Sequence, residues 1–144
     1  MSLEVTAKLG APLQMSGKIL VVEDHRETRD LFTIALELTD FDVVVANDGL
    51  GGLEKACVER PDLILTDIQM PRLDGVAMIQ RLRCLPACAE VPIVAVTGYG
   101  SGRAQEALTA GADRAVGKPL DPHHLLILIR DLLTRRERLA SAGD

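Results

Sequence analysis

A parallel β-sheet wrapped on both faces by helices is the fold class this sequence predicts. Three observations lead there. Five short apolar runs rich in β-branched residues, opening at Lys18, Asp42, Leu63, Pro92 and Arg114, read as strands. Segments with helical periodicity follow each of them, which supplies the crossovers that parallel neighbours need. The runs are apolar almost throughout, as in strands covered on both faces, and their polar residues gather at the carboxyl ends.

At 144 residues the chain has room for one domain with a full core. Residues 1–17 mix Ala, Gly, Pro, Ser and Lys without periodicity and read as a flexible leader; 18–139 form the domain and 140–144 a short tail. Twenty-one acidic against sixteen basic residues, a net charge of −5, argue against a broad electrostatic grip on nucleic acid or anionic membrane. With aromatic residues at 2%, stacking on single-stranded bases is equally disfavoured. The longest aliphatic run, Leu125 to Ile129, is far below a spanning length, and no signal segment opens the chain, so a cytoplasmic protein is expected. Cys57, Cys84 and Cys88 form no disulfide framework and read as reduced thiols; Cys84 and Cys88 lack the CxxC or histidine partner of a metal site.

Lys18 to Val22 is the first strand and ends in Glu23 and Asp24. The helix after it spans His25 to Leu38, with Leu31, Ile34, Ala35 and Leu38 predicted as its buried face. Asp42 to Ala46 forms the second strand; Asn47 and Asp48 are turn or cap residues, and Leu53, Ala56 and Cys57 mark the inner face of a helix that Pro61 stops. The third strand, Leu63 to Thr66, delivers Asp67, and Asp74 is a candidate N-cap for a helix from Gly75 to Arg83. Pro92 to Val96 is a fourth buried strand ending in Thr97 and a glycine-rich loop, with a helix from Arg103 to Ala110 closing at Gly111. Arg114 to Val116 is the fifth strand, and Lys118 and Pro119 follow it. Asp121 with Pro122 opens the last helix, which runs to about Leu139 with a wide apolar stripe led by Leu125, Leu128, Ile129 and Leu132. Arg130, Arg135, Arg136 and Arg138 read as its solvated, dipole-complementing end, and His123 and His124 as surface residues.

In such sheets ligands bind beyond the carboxyl ends of the strands, where the winding reverses. The strand ends here carry Glu23 and Asp24, then Asp67, Thr97 and Lys118, which converge if the strand order is 2-1-3-4-5. Three close carboxylates raise one another's pKa unless a cation intervenes, and an oxygen-only cluster suits Mg²⁺. An ionised Asp67 needs no general base to attack a phosphoryl group, and Lys118 and Thr97 would meet the charge on its oxygens. The glycines after Thr97 do not make a dinucleotide loop: Arg103 stands where a G-x-G-x-x-G match requires glycine, and the loop follows the fourth strand.

VVED at 21–24, LTDIQMPRLDG at 65–75, VTG at 96–98 and KPL at 118–120 stand in an order and spacing that resemble the receiver domain of two-component response regulators. The resemblance covers about Lys18 to Leu139 and implies a doubly wound, flavodoxin-like five-stranded sheet of order 2-1-3-4-5. It also implies that Asp67 takes a phosphoryl group from a phosphohistidine on a histidine kinase or phosphotransfer protein. By the same resemblance Asp24, Asp67 and the Gln69 carbonyl ligate Mg²⁺, Glu23 acts through water, Thr97 moves toward the phosphoryl group, Lys118 pairs with it, and the Lys118–Pro119 bond is cis. Output would pass to an effector domain or a homodimer through the fourth helix, fifth strand and fifth helix, the protein acting as a signalling phosphoacceptor and not as an enzyme on other substrates.

One position departs from the pattern: Ala115 stands where the family commonly carries an aromatic ring that turns inward as the threonine moves. Tyr99, two residues beyond Thr97, is expected to shape access to the site in its place. The rival from another class is a phosphatase of the haloacid dehalogenase type, with the same strand-end Asp, Thr and Lys. It needs a second aspartate two residues after the nucleophile, where this chain has Gln69, and a cap domain for which no room is seen.

Overall fold

The structure, a computed structural model, describes residues 16–98 and 102–142, with side chains as far as Arg138. Five strands alternate with five helices: β1 Gly17–Val22, α1 Arg26–Glu37, β2 Phe41–Ala46, α2 Gly49–Glu59, β3 Leu63–Asp67, α3 Gly75–Arg83, β4 Ile93–Thr97, α4 Ala104–Ala110, β5 Arg114–Gly117 and α5 Pro122–Ala142. A 3₁₀ turn at Pro86–Cys88, unforeseen in the sequence, links α3 to β4. All pairings are parallel and the sheet order is β2-β1-β3-β4-β5, the doubly wound arrangement expected.

The period of two in a strand sends alternate residues to opposite faces, and the winding covers both. Leu20, Val22, Ile64, Ile93 and Ala95 pack under α2, α3 and α4 with Ala56, Met78, Ile79, Leu82 and Ala107. Ile19, Val21, Leu63, Leu65, Val94 and Val96 face the other way, against Phe32 and Leu36 of α1 and Leu125, Ile129 and Leu132 of α5. Asp48 caps α2 by accepting from Gly51 N at 2.7 Å, and Asp74 caps α3 by accepting from Ala77 N at 3.0 Å. Asp121 Oδ1 accepts from His123 N at 3.0 Å at the start of α5.

Three sequence-based expectations need correction. The buried face of α1 is Phe32 and Leu36, while Leu31, Ile34 and Leu38 are exposed by 66%, 57% and 79%. Each set fits a 3.6-residue period; they differ by a rotation of about 100°, one residue, and the larger Phe32–Leu36 pair takes the inward side. Cys57 is exposed, and the inner face of α2 is Gly49, Gly52 and Ala56, with Leu53 half-buried against the core. A Cβ on Gly52 would fall 2.6 Å from Met78 Sδ, so small residues there let α2 settle on β1 and α3. Arg135, Arg136 and Arg138 are exposed as expected, but they precede the last turn of α5 and do not complement its dipole there, and Arg130 is half-buried. The helix continues beyond Arg138 to Ala142, Arg136 Nη1 donates to the Asp62 carbonyl at 2.8 Å, and Arg130 Nε is buried without a hydrogen-bond partner among the described residues. The wide stripe is otherwise a core face: Leu125, Ile129 and Leu132 are buried, Leu126, Leu128 and Leu133 half-buried, and Ile127 exposed.

At the amino ends of the strands Arg83, on the last turn of α3, gathers neighbouring segments. Its Nη1 donates to the carbonyls of Cys88, Ala89 and Val91 at 3.0, 3.2 and 2.7 Å. Nε and Nη2 donate to Gly111 O at 3.0 and 2.8 Å, and Nη2 meets Asp113 Oδ2 at 3.1 Å. Asp113 Oδ2 also accepts from Ile93 N at 2.8 Å, so one guanidinium ties α3, the start of β4 and the α4–β5 turn.

Candidate functional site

The carboxyl ends of the central strands bring the polar residues together. Thr66 is register partner of Val22, Asp67 of Val96, and Thr97 of Gly117, so Glu23, Asp67, Thr97 and Lys118 follow one another across the sheet edge. The turn after β3 is held where a side chain would not fit. Gly75 N donates to Ile68 O at 2.7 Å, and a Cβ on Gly75 would overlap the Asp67 carbonyl. Glycine at this helix start therefore lets the loop fold back against the strand that carries Asp67.

Asp67 is buried, at 5% exposure. Its Oδ1 accepts from Ile68 N at 2.8 Å, which fixes the plane of the carboxylate, and its Oδ2 lies 3.5 Å from Lys118 Nζ. The same ammonium is 3.3 Å from Glu23 Oε1. Glu23, at 1% exposure, receives His25 N on Oε2 at 3.1 Å, and its carbonyl accepts from Arg29 Nη1 at 3.0 Å. Burial pushes the Glu23 carboxyl above its ordinary range; the hydrogen bond from His25 N opposes this, the Asp67 charge adds to it and Lys118 offsets part of it. Thr97 is buried and donates through Oγ1 to Val116 O at 3.3 Å, so its hydroxyl is turned toward β5. Gln69 is exposed, its Oε1 3.7 Å from where a Cβ on Gly98 would stand. Ala115 is half-buried against the α2–α4 layer, and Tyr99 lies outside the described residues.

One participant escaped the sequence reading. His25, read there as the first residue of a helix, is the N-cap of α1, and its Nδ1 lies 3.3 Å from both Glu23 Oε2 and Asp24 Oδ1. Its place directly after two acids at a strand end was the available signal. One ligand-competent atom from each of Glu23, Asp24, His25 and Asp67 lies within 4.8 Å of the others. Asp24 Oδ1 is shut off from solvent and makes no hydrogen bond among the described residues. Buried carboxylate oxygens so close together, one of them unsatisfied, fit a bound divalent cation. An open cleft of about 800 Å³ lined by Arg83, Pro92, Asp113, Leu132 and Arg135 lies at the opposite end of the strands and shares none of these groups.

The family model for the response regulator receiver domain matches residues 19–130. This chain belongs to that family. The receiver is 35% identical over 127 residues to the DNA-binding dual master transcriptional regulator RpaA of Synechocystis sp., covering 88% of this chain and 53% of that protein. It is 38% identical over 122 residues to the response regulator MprA of Mycobacterium ulcerans, covering 84% and 52%. The receiver thus spans about half the length of the curated relatives it matches. Among solved structures it resembles the receiver domain of a sensor histidine kinase from Pseudomonas aeruginosa, described with a magnesium ion coordinated in the active-site cleft. That match has a TM-score of 0.78 at 27% identity and covers 83% of this chain and 98% of the other. A chemotaxis response regulator of Vibrio cholerae matches with a TM-score of 0.76 at 27% identity, over 81% and 98%. The chain is a receiver of two-component signalling, and nothing in these likenesses supports the haloacid dehalogenase alternative.

Proposed function

We propose that Asp67 is the phosphoacceptor, taking its phosphoryl group from a phosphohistidine on a histidine kinase or histidine phosphotransfer protein. The Oδ–P bond forms as the donor N–P bond breaks, and the electron pair returns to the imidazole nitrogen. The observation that carries this reading is the Lys118 ammonium set between Asp67 Oδ2 and Glu23 Oε1, at 3.5 and 3.3 Å, within a cluster of buried acids. Such a fixed positive charge is placed to meet the equatorial oxygens of a phosphoryl group in transfer.

The Ile68 N–H holds Asp67 Oδ1 and keeps the carboxylate oriented, while ionised Asp67 attacks without a general base. Thr97 gives up its bond to Val116 O and donates to a phosphoryl oxygen, which couples the chemistry to β5. Asp24, Asp67 and the Gln69 carbonyl would hold Mg²⁺, with Glu23 acting through water; the buried, unsatisfied Asp24 Oδ1 and the magnesium described in the Pseudomonas relative support this. When bound, the ion offsets the crowded carboxylate charge and that of the phosphoryl oxygens. The domain proper spans Gly17 to Ala142, one residue before and three beyond the limits read from the sequence.

The phosphorylated receiver passes its state to an effector domain or a second copy through α4, β5 and α5. It works in the cytoplasm as a signalling phosphoacceptor whose only reactions are self-phosphorylation and autodephosphorylation. Among the described residues no helix is long and apolar enough to cross a membrane. The net charge of −5 leaves direct nucleic-acid contact to other parts of such regulators.

Incubation with acetyl phosphate and Mg²⁺ followed by intact mass tests the reading. The wild type gains one phosphoryl adduct and Asp67→Asn gains none. An adduct that persists in Asp67→Asn, or none in the wild type, overturns the assignment.

A further inference from the structure

Of the four ligand-competent residues gathered at the described acidic cluster, His25 is the one that an oxygen-only cation site does not use. It is neither remote nor pointed away: Nδ1 stands 3.3 Å from Glu23 Oε2 and 3.3 Å from Asp24 Oδ1. Donor atoms bonded to one small divalent ion at about 2.1 Å, with angles between octahedral and tetrahedral, lie about 3.0–3.4 Å apart. The His25 nitrogen, hydrogen-bonded here to Glu23 Oε2, therefore already stands at the spacing of a neighbouring ligand to both acids. The backbone fixes this placement, because His25 N donates to Glu23 Oε2 at 3.1 Å and the residue caps α1 without using its side chain as the cap. The ring is 71% exposed, so turning it toward an ion displaces no packed group. Asp24 Oδ1, the oxygen beside it, is the buried acceptor without a hydrogen bond.

We propose that His25 is a metal ligand beside Asp24 and Asp67, with Glu23 acting through water, making a mixed oxygen–nitrogen set that favours borderline divalent ions such as Mn²⁺ and Co²⁺ over Mg²⁺. Magnesium takes oxygen ligands and gains little from a ring nitrogen, whereas imidazole suits the later first-row ions. One residue outside the shared motif thereby sets which cation loads the receiver. The inference rests on the proposed reading of this cluster as the cation site, and it adds the ligand that gives the site its selectivity.

Titrations of the full chain with Mg²⁺, Mn²⁺ and Co²⁺ by calorimetry, together with pulsed electron paramagnetic resonance of the Mn²⁺ complex, separate the two. The wild type is expected to show a ¹⁴N coupling to bound Mn²⁺. In His25→Ala and in the polar variant His25→Asn that coupling disappears, and Mn²⁺ and Co²⁺ affinities fall about tenfold or more while Mg²⁺ affinity stays within about twofold. Saturable Mn²⁺ binding without a ¹⁴N coupling, or equal losses for all three ions, overturns the role of His25. Absence of saturable binding of any of the three ions to the wild type overturns instead the cation-site reading beneath it.

Discussion

Asp74 shows how one side chain serves two purposes near the site. It caps α3 through Ala77 N, and its Oδ2 meets Arg103 Nη2 at 3.0 Å, which joins the start of α3 to the start of α4. Burial pushes the Asp74 carboxyl up, but the hydrogen bonds from Ala77 and Arg103 and the Arg103 charge outweigh it and hold the carboxyl below its ordinary value of 3.8. A group depressed in the folded state stabilises above its unfolded pKa, and that contribution is lost as the pH falls through the folded value. Asp74→Ala is expected to cost about 1 kcal/mol near neutrality, the usual worth of a cap. Asp74→Asn keeps the cap and loses the charge. Its deficit against wild type, measured by urea unfolding, should stay level from neutral pH to about pH 5 and close as the pH falls below 3.8. A deficit independent of pH would show that the carboxylate charge contributes nothing. At this scale Asp67, Thr97, Lys118 and the Asp74 cap were legible because each stands at a boundary between a periodic segment and a polar one. The Asp74–Arg103 pair was not, since 29 residues separate the partners and only the fold sets their distance.

Strand positions were read closely, to within a residue at most ends, because runs buried on both faces admit one interpretation. Helix faces were harder. In α1 two stripes one residue apart are both apolar, and periodicity alone does not rank them; the contact of Phe32 and Leu36 with Ile19, Val21, Leu125 and Ile129 decides it. The choice has a measurable consequence. Leu36→Ala should destabilise by about 2–5 kcal/mol, as for a fully buried leucine, whereas Leu38→Ala should stay within about 0.5 kcal/mol. Chemical denaturation of the two variants checks this, and similar losses would restore the face first read from the sequence. The same reasoning explains Cys57, which has the size of a core residue but sits one position from Ala56, the side chain that touches the sheet.

Across the whole molecule the two ends of the sheet are built differently. The carboxyl ends gather charge around Asp67, with one acceptor oxygen unsatisfied and a threonine hydroxyl engaged at 3.3 Å. The amino ends are stapled by Arg83, whose guanidinium makes hydrogen bonds to four carbonyls and one carboxylate. The chain order β2-β1-β3-β4-β5 was legible only through the family likeness, since spacing along a sequence does not order parallel strands. The staple was not legible at all, because three of its four carbonyl partners belong to residues without chemistry of their own in the sequence, Cys88 apart. Its consequence concerns motion. Amide hydrogen exchange should be slow at Ile93, whose N–H is held by Asp113, and at neighbouring positions of the arginine end; breathing of the sheet should then be concentrated at the Asp67 end. Arg83→Met should raise exchange at Ile93 by about tenfold or more for a loss of one to two hydrogen bonds' worth of protection, and leave the amide of Ile68 unchanged. With the amino ends of β4 and β5 pinned by Arg83 and Asp113, the Thr97 rearrangement proposed above would start at the far end of both strands, where the contacts are few and polar.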